Sequence, residues 1–436
     1  MKRVICALVL LAVGAATAVP VAAAPRAGII VLEQAAVSHF PNDLTLRLRV
    51  RSDGGNITSA VLHLQIGWQE ATRPLPLQPF TPAAEVELIG VWNTAGETIP
   101  PFIEITYYWE VSNSSGQTIR TEPATIEYVD TTHDWQRRQA EHVIVYWYGQ
   151  DKDFGEAIFT AAQESYDHVA RITGVTTERP IRVVIYASQR DFCAFYAPNT
   201  CQSWIGGQTF GDLGITVQWG SDLDWFAYNV VPHEMAHVFY DDMGVSTWSP
   251  TWFNEGIAVY NERHDHSEER ELVLAAAEAG ELRPLAVMTR GGGVAEGNVG
   301  LWYAIAYSVV AYIADEYGED TLGELIGLLG NATPFDQALA QATGLDMAGL
   351  EMGWRAWLGY PIDQVPTPIV LPTMAITPFS LPTAPRGQPA ATRTPQPTVP
   401  TPTPQPTTPA IPCASLLIGV LPLALLAVRR QRRPAI

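Results

Sequence analysis

Two histidines four residues apart, with a glutamate beside the first, are the residues best placed to do chemistry in this chain: His233-Glu234-Met235-Ala236-His237. Residues i and i+4 of a helix share a face, so His233 and His237 can present ring nitrogens to one metal ion. Glu234 stands one step round the helix, where its carboxylate reaches a water on that metal without displacing either imidazole. Catalytic zinc takes three protein ligands and keeps one position open. Glu255, within Trp252-Phe253-Asn254-Glu255-Gly256-Ile257-Ala258, is the third ligand this pattern points to. Its apolar neighbours set that carboxylate against a packed interior, where an unpartnered Glu is costly and a Glu on a metal is satisfied. Residues 238–254 leave room to end one helix, turn at Met243-Gly244 and Ser249-Pro250, and enter another.

HEMAH followed by WFNEGIAVY resembles the gluzincin metallopeptidases, in particular the peptidase MA-like group of exported bacterial proteins. The likeness takes in Trp204-Ile205-Gly206-Gly207, Asp224-Trp225 before the motif, and Ala306-Tyr307-Ser308 in a stretch that ends at Tyr317-Gly318. It implies one zinc ion on His233, His237 and Glu255, with Glu234 as general base. It also implies a zincin layout, with a strand-and-helix lobe and a helical lobe on either side of a cleft. In related peptidases the edge strand of the upper lobe pairs with the substrate backbone, which here points to residues 204–210 or 215–219. Two departures matter. The GAMEN-type motif of gluzincin aminopeptidases is absent, so the resemblance does not extend to an aminopeptidase. Thermolysin-like members carry an Asp four residues after the third ligand, where this chain has Val259, so the group that steadies the histidines is unassigned.

The chemistry these residues imply is metal-assisted hydrolysis of a peptide bond. Glu234 takes the proton of the attacking water and hands it to the leaving amine. The tetrahedral oxyanion needs a donor besides the metal, and Tyr307, on the helix where relatives place polar residues near the cleft, is the candidate. The competing reading of Tyr307 is a core aromatic in a helix that already holds Tyr303 and Tyr312. Two other functions stay open: a surface binding or adhesion protein with a degenerate zincin domain, and a zinc hydrolase of a non-protein amide. Intact HEMAH and Glu255 argue against degeneration. His264-Asp265-His266 could hold a further metal, but Glu262, Glu268, Glu269 and Glu271 around it read instead as a solvated, charged loop.

With 436 residues the chain can hold two or three domains. A net charge of −19 and a pI near 4.8 exclude nucleic acid as a partner, since phosphate binding needs a basic face. Lys2-Arg3, an apolar run over 4–13 and small residues near Ala18 or Ala23 make residues 1–24 read as a secretory signal peptide. Cys193 and Cys201, set apart from Cys6 and Cys413, are expected to form a disulfide. Residues 359–412 turn to Pro, Thr and Gln and are expected to be a disordered, extended linker. Residues 413–428 are apolar and precede Arg429, Arg430, Arg432 and Arg433, which points to a C-terminal membrane helix or sorting segment with a basic cytoplasmic tail, 429–436. The expected partners are a peptide or protein substrate and the membrane. The expected place is the extracellular face of the cell membrane or cell surface, single-pass.

The elements that must position the site divide at about residue 130. Residues 27–130 carry short alternating segments at 44–50, 60–65, 84–89, 103–109 and 124–128 between turn clusters, the spacing of an immunoglobulin-like β-sandwich. Residues 134–358 read as an α+β zincin-like metallopeptidase domain. Strands are expected at 143–147, 181–186, 204–210 and 215–219, an amphipathic helix at 154–172, and a largely helical stretch over 272–358. The motif helix is expected to start near Asp222 or Asp224, with Pro232 kinking it or costing it a backbone bond.

Overall fold

The computed structural model describes residues 28–202, 205–288 and 299–365. The expected signal peptide, Trp204, most of the Pro/Thr linker, the C-terminal apolar segment and the basic tail lie outside the described residues.

Alternation builds the N-terminal region. In order, its strands are β1 (Ile29–His39), β2 (Asp43–Ser52), β3 (Ile57–Ile66), β4 (Arg73–Leu75), β5 (Glu85–Asn93), β6 (Glu104–Asn113), β7 (Thr118–Arg120) and β8 (Ala124–Glu127). They form two antiparallel sheets, β1-β2-β5 and β4-β3-β6-β7, with β8 also paired to β6. Leu44, Leu46, Leu48 and Val50 of β2 face Ile105, Tyr107, Trp109 and Val111 of β6 inside one core, every second residue pointing in. Tyr107 and Trp109 are therefore packing residues. The five expected strands are all present. β1 shows no alternation and leaves Ile30, Val31 and Leu32 exposed, and β4 and β7 span three residues each, so none of the three stands out in the sequence.

A second sheet follows, made of β9 (Gln136–Gln139), β10 (Val143–Trp147), β11 (Ile181–Tyr186), β12 (Gly207–Phe210) and β13 (Ile215–Trp219). Its order is β12-β13-β11-β10-β9; the inner pairs are parallel and both edge pairs antiparallel. Strands β10 and β11 are buried on both faces, which is why they read as unbroken apolar runs. One face packs under the first long helix, Lys152–Thr173. The other continues the core of the sandwich through Ile144, Tyr146, Val184, Tyr186, Ile215 and Val217. Phe102 stacks on Tyr146 with ring centroids 4.1 Å apart. The change of sheet near residue 130 is thus crossed by a continuous apolar core. Cys193 and Cys201 are joined, as expected, with Cα atoms 5.6 Å apart, closing the loop that leads to β12. Of the two candidate edge strands, residues 215–219 are corrected by the topology: β13 is flanked on both sides, and β12 is the edge.

The motif helix shows what Pro232 does. Asp222 caps its start, accepting from the Trp225 N–H, as the sequence predicts. The chain then widens to a π-turn over Phe226–Val230 before the α-helix Val231–Asp242. Proline lacks the N–H that would bond the Tyr228 carbonyl one turn back. That carbonyl accepts instead from the backbone N–H of Arg263, at 2.7 Å. The cost expected of Pro232 is offset by a tertiary bond, and the kink takes the form of a π-turn.

The helix Thr251–Tyr260 carries Glu255 and lies against Val299–Tyr317, which is apolar on nearly every side. Gly256 permits that approach: a Cβ there would stand 2.5 Å from the Ala306 carbonyl oxygen and 2.8 Å from Val310. Further helices, Ser267–Ala279, Glu319–Gly330, Phe335–Thr343 and Met347–Trp357, complete the helical lobe. Because the obstacle to a side chain at 256 is partly backbone, Gly256→Ala should destabilise the fold by about 1–3 kcal/mol, read as a lowered melting temperature. A melting curve unchanged from wild type would show that the helices are not in tight contact here.

Candidate metal centre

His233, His237 and Glu255 come together in the interior, all three buried. The two histidines are one turn apart on the motif helix, and Glu255 reaches them from the next long helix. His237 Nε2 lies 3.2 Å from His233 Nε2 and 3.2 Å from Glu255 Oε2, and His233 Nε2 lies 3.4 Å from Glu255 Oε2. A tetrahedron with metal–ligand bonds of about 2.0–2.1 Å has edges of about 3.3 Å. The three donor atoms therefore form one face of such a tetrahedron, and the residues fit a divalent metal.

Electrostatics agree with the geometry. Burial alone would lower the His233 pKa, but bonds to Glu255 and Glu262 outweigh it and raise it to about 10. Burial would raise the Glu255 carboxyl, and the two histidines instead hold it down at about 2. Both shifts have one cause. Carboxylates converge on two imidazoles out of reach of water, and the pocket favours positive charge at its centre.

Glu234 is buried beside this triangle, and burial raises its pKa despite the neighbouring histidines. One of its oxygens accepts from the Thr209 hydroxyl, and the other, Oε1, has no hydrogen-bond partner. Thr209 belongs to the edge strand β12 and is bonded in turn to Thr216, its register partner on β13, at 2.9 Å. The sheet edge thus fixes one carboxylate oxygen and leaves the other available.

Tyr307 does not join the cluster. Its ring stacks on His266, centroids 4.0 Å apart, and faces Tyr260 at 6.4 Å. The expectation of a catalytic tyrosine at 307 is displaced by one helical turn. Tyr303 is the tyrosine beside the histidines, its ring 6.2 Å from that of His233. Burial, then the charges of Glu255, Glu234 and Glu262, push its hydroxyl well above the usual range, and it bonds Glu255. Nothing in the sequence distinguishes positions 303 and 307, which share a helix face.

The partner of His233 also differs from expectation. Val259 is buried and apolar, and Glu262 instead partners the histidine: its Oε1 lies 2.8 Å from His233 Nδ1. Glu262 had the look of a solvated loop acid. Its side chain is 10% exposed, and this near-burial would raise its pKa, but His233 and His264 lower it. Its only trace in the sequence is its place just past the end of the helix that carries Glu255. Asn261 helps to set it, donating from Nδ2 to the Pro232 carbonyl at 2.6 Å and to Ser165 at 2.7 Å. A carboxylate on the far nitrogen of a ligating histidine fixes its tautomer and raises its basicity. Glu262→Gln should therefore weaken metal affinity by about 10–100-fold, measured by chelator competition; an unchanged affinity would remove Glu262 from this role.

A family model of the Peptidase MA superfamily matches residues 161–360, a span that includes the histidine pair, Glu234, Glu255, Glu262 and Tyr303. No curated protein matches the chain. Among solved structures, an aminopeptidase N family protein from Idiomarina loihiensis is 10% identical, with a TM-score of 0.34, covering 75% of this chain and 74% of that one. The sulfane dehydrogenase SoxCD from Paracoccus pantotrophus is 12% identical, with a TM-score of 0.15, covering 21% of this chain and 23% of that one. Both scores lie below that of a shared fold. The match to the Peptidase MA superfamily model, confined to residues 161–360, supports a peptidase MA-like assignment for that part of the chain.

Proposed function

We propose that the protein is a zinc-dependent endopeptidase, exported and tethered at the cell surface, with one catalytic zinc on His233, His237 and Glu255. The observation that carries this reading is the triangle of buried donors, with sides of 3.2, 3.2 and 3.4 Å, beside a buried Glu234. Zinc bound there would supply Lewis acidity and a water whose pKa is lowered to about 7. Glu234, its pKa raised by burial, takes a proton from the attacking water through Oε1 while Thr209 holds the other oxygen. It then passes that proton to the leaving amine. Tyr303, whose ring lies 6.2 Å from that of His233, is the candidate donor to the oxyanion of the tetrahedral intermediate. Strand β12, which carries Thr209, is the sheet edge along which an extended peptide would add as a further strand.

The wider assignments rest on other features. Two packed antiparallel sheets of three and four main strands support an immunoglobulin-like sandwich for residues 27–130, and the mixed sheet with its helical lobe supports a zincin-like domain for 134–358. Residues 1–24 and 413–436 support export and anchoring, and the Cys193–Cys201 disulfide is in keeping with an oxidising compartment.

Cleavage of a peptide mixture, with and without chelator, tests the activity. Glu234→Gln should lower kcat/KM by at least about 100-fold with metal content unchanged. Tyr303→Phe should lower kcat by about 100-fold with little change in KM, whereas Tyr307→Phe should leave both near wild type. Normal turnover by Glu234→Gln, or metal-loaded wild type that cleaves no peptide, would overturn the assignment.

A further inference from the structure

We propose that His264, His266 and Glu269 form a second divalent-metal site, joined to the first through Glu262. The chain does not leave His264-Asp265-His266 as a solvated loop. The segment folds back just before the helix Ser267–Ala279, and Glu269, in the first turn of that helix, faces both histidines. His264 Nε2 lies 3.0 Å from Glu269 Oε1, and His266 Nδ1 lies 3.7 Å from Glu269 Oε2. The three donors all fall within 4.8 Å of one another. Stacking on Tyr307 fixes the plane of the His266 ring.

Two of these atoms, His266 Nδ1 and Glu269 Oε2, are buried and have no hydrogen-bond partner. Unpaired buried polar atoms are costly, and at 3.7 Å these two stand too far apart to bond each other. The separation is close to the edge of about 3.3 Å expected for two ligands on one ion with bonds of about 2.0–2.1 Å. A cation between them would satisfy both.

Glu262 supplies the second argument. Its Oε1 meets Nδ1 of His233, and its Oε2 lies 3.2 Å from Nδ1 of His264, though not in line for an ideal hydrogen bond. In both rings the nitrogen turned to Glu262 is the one opposite Nε2, and Nε2 faces a metal-ligand cluster. Ligating histidines commonly turn their far nitrogen to a carboxylate. Here one carboxylate serves two such histidines. A metal on His264 would hold the 261–263 segment, which also covers the Tyr228 and Pro232 carbonyls at the head of the motif helix.

The site stands on its own geometry, and counting metal separates it from the first. The full chain is loaded with excess zinc, dialysed, and its zinc measured per protein by mass spectrometry, with circular dichroism confirming the fold. Wild type should retain two zinc ions; His266→Ala and Glu269→Gln should each retain one; His237→Ala should retain one; and His237→Ala with His266→Ala should retain none. One zinc in wild type, lost in His237→Ala and kept in both His266→Ala and Glu269→Gln, would overturn the second site. Zinc lost in His266→Ala and Glu269→Gln but not in His237→Ala would uphold it and instead count against the first. Should His266→Ala fail to fold, Glu269→Gln, which keeps the side chain's size, decides the question.

Discussion

Burying a carboxylate without a counter-charge is among the more expensive things a protein can do, and this one sets two buried carboxylates and a third that is nearly buried around two histidines. Glu234, Glu255 and Glu262 approach the histidine pair, and the ring of Tyr303 lies 6.2 Å from that of His233. Such an arrangement is tolerable only with positive charge at its centre. The depressed carboxyls of Glu255 and Glu262 and the raised His233 express that need, and a divalent metal on the donor triangle meets it. Glu234 is the exception, with its pKa raised, and it is the carboxylate with an oxygen left unbonded.

The surrounding fold can be understood as support for that convergence. The candidate ligands sit on two helices, one held close to its neighbour at Gly256 and the other preceded by the π-turn that accommodates Pro232. The segment 261–263 ties the two together. Asn261 holds the Pro232 carbonyl, Glu262 holds His233, and the Arg263 N–H holds the carbonyl that Pro232 orphans. On the opposite side, β12 and β13 hold Glu234 through Thr209 and Thr216. The apolar core shared by the second sheet and the N-terminal sandwich gives this sheet a backing on its far face.

Much of this was legible in the residues. Spacing alone identified the histidine pair, and the apolar company of Glu255 marked it as an inward-facing acid. Alternation marks five strands of the sandwich, and Asp222 marks the start of the motif helix. Other features depend on tertiary geometry that leaves little trace in sequence. Tyr303 and Tyr307 occupy the same helix face, and only the packing of that helix decides which meets the histidines. Glu262 lies in an acidic run whose members look alike until the chain folds back on the motif helix. Strand β13 resembles an edge strand as readily as β12 does, because flanking strands are a property of topology. The short strands β4 and β7 have too few residues for a period to show.

The account's central claim is that Nε2 of His233, Nε2 of His237 and a Glu255 oxygen bind one ion at a single point. X-ray absorption at the zinc edge tests it most directly when applied to His266→Ala, which retains the first site alone. It should show two imidazole nitrogens and oxygen neighbours at about 2.0–2.1 Å, and the zinc signal should be lost when His237→Ala is added in the same background. A zinc environment without imidazole, or one that does not change when His237 is removed, would contradict the claim.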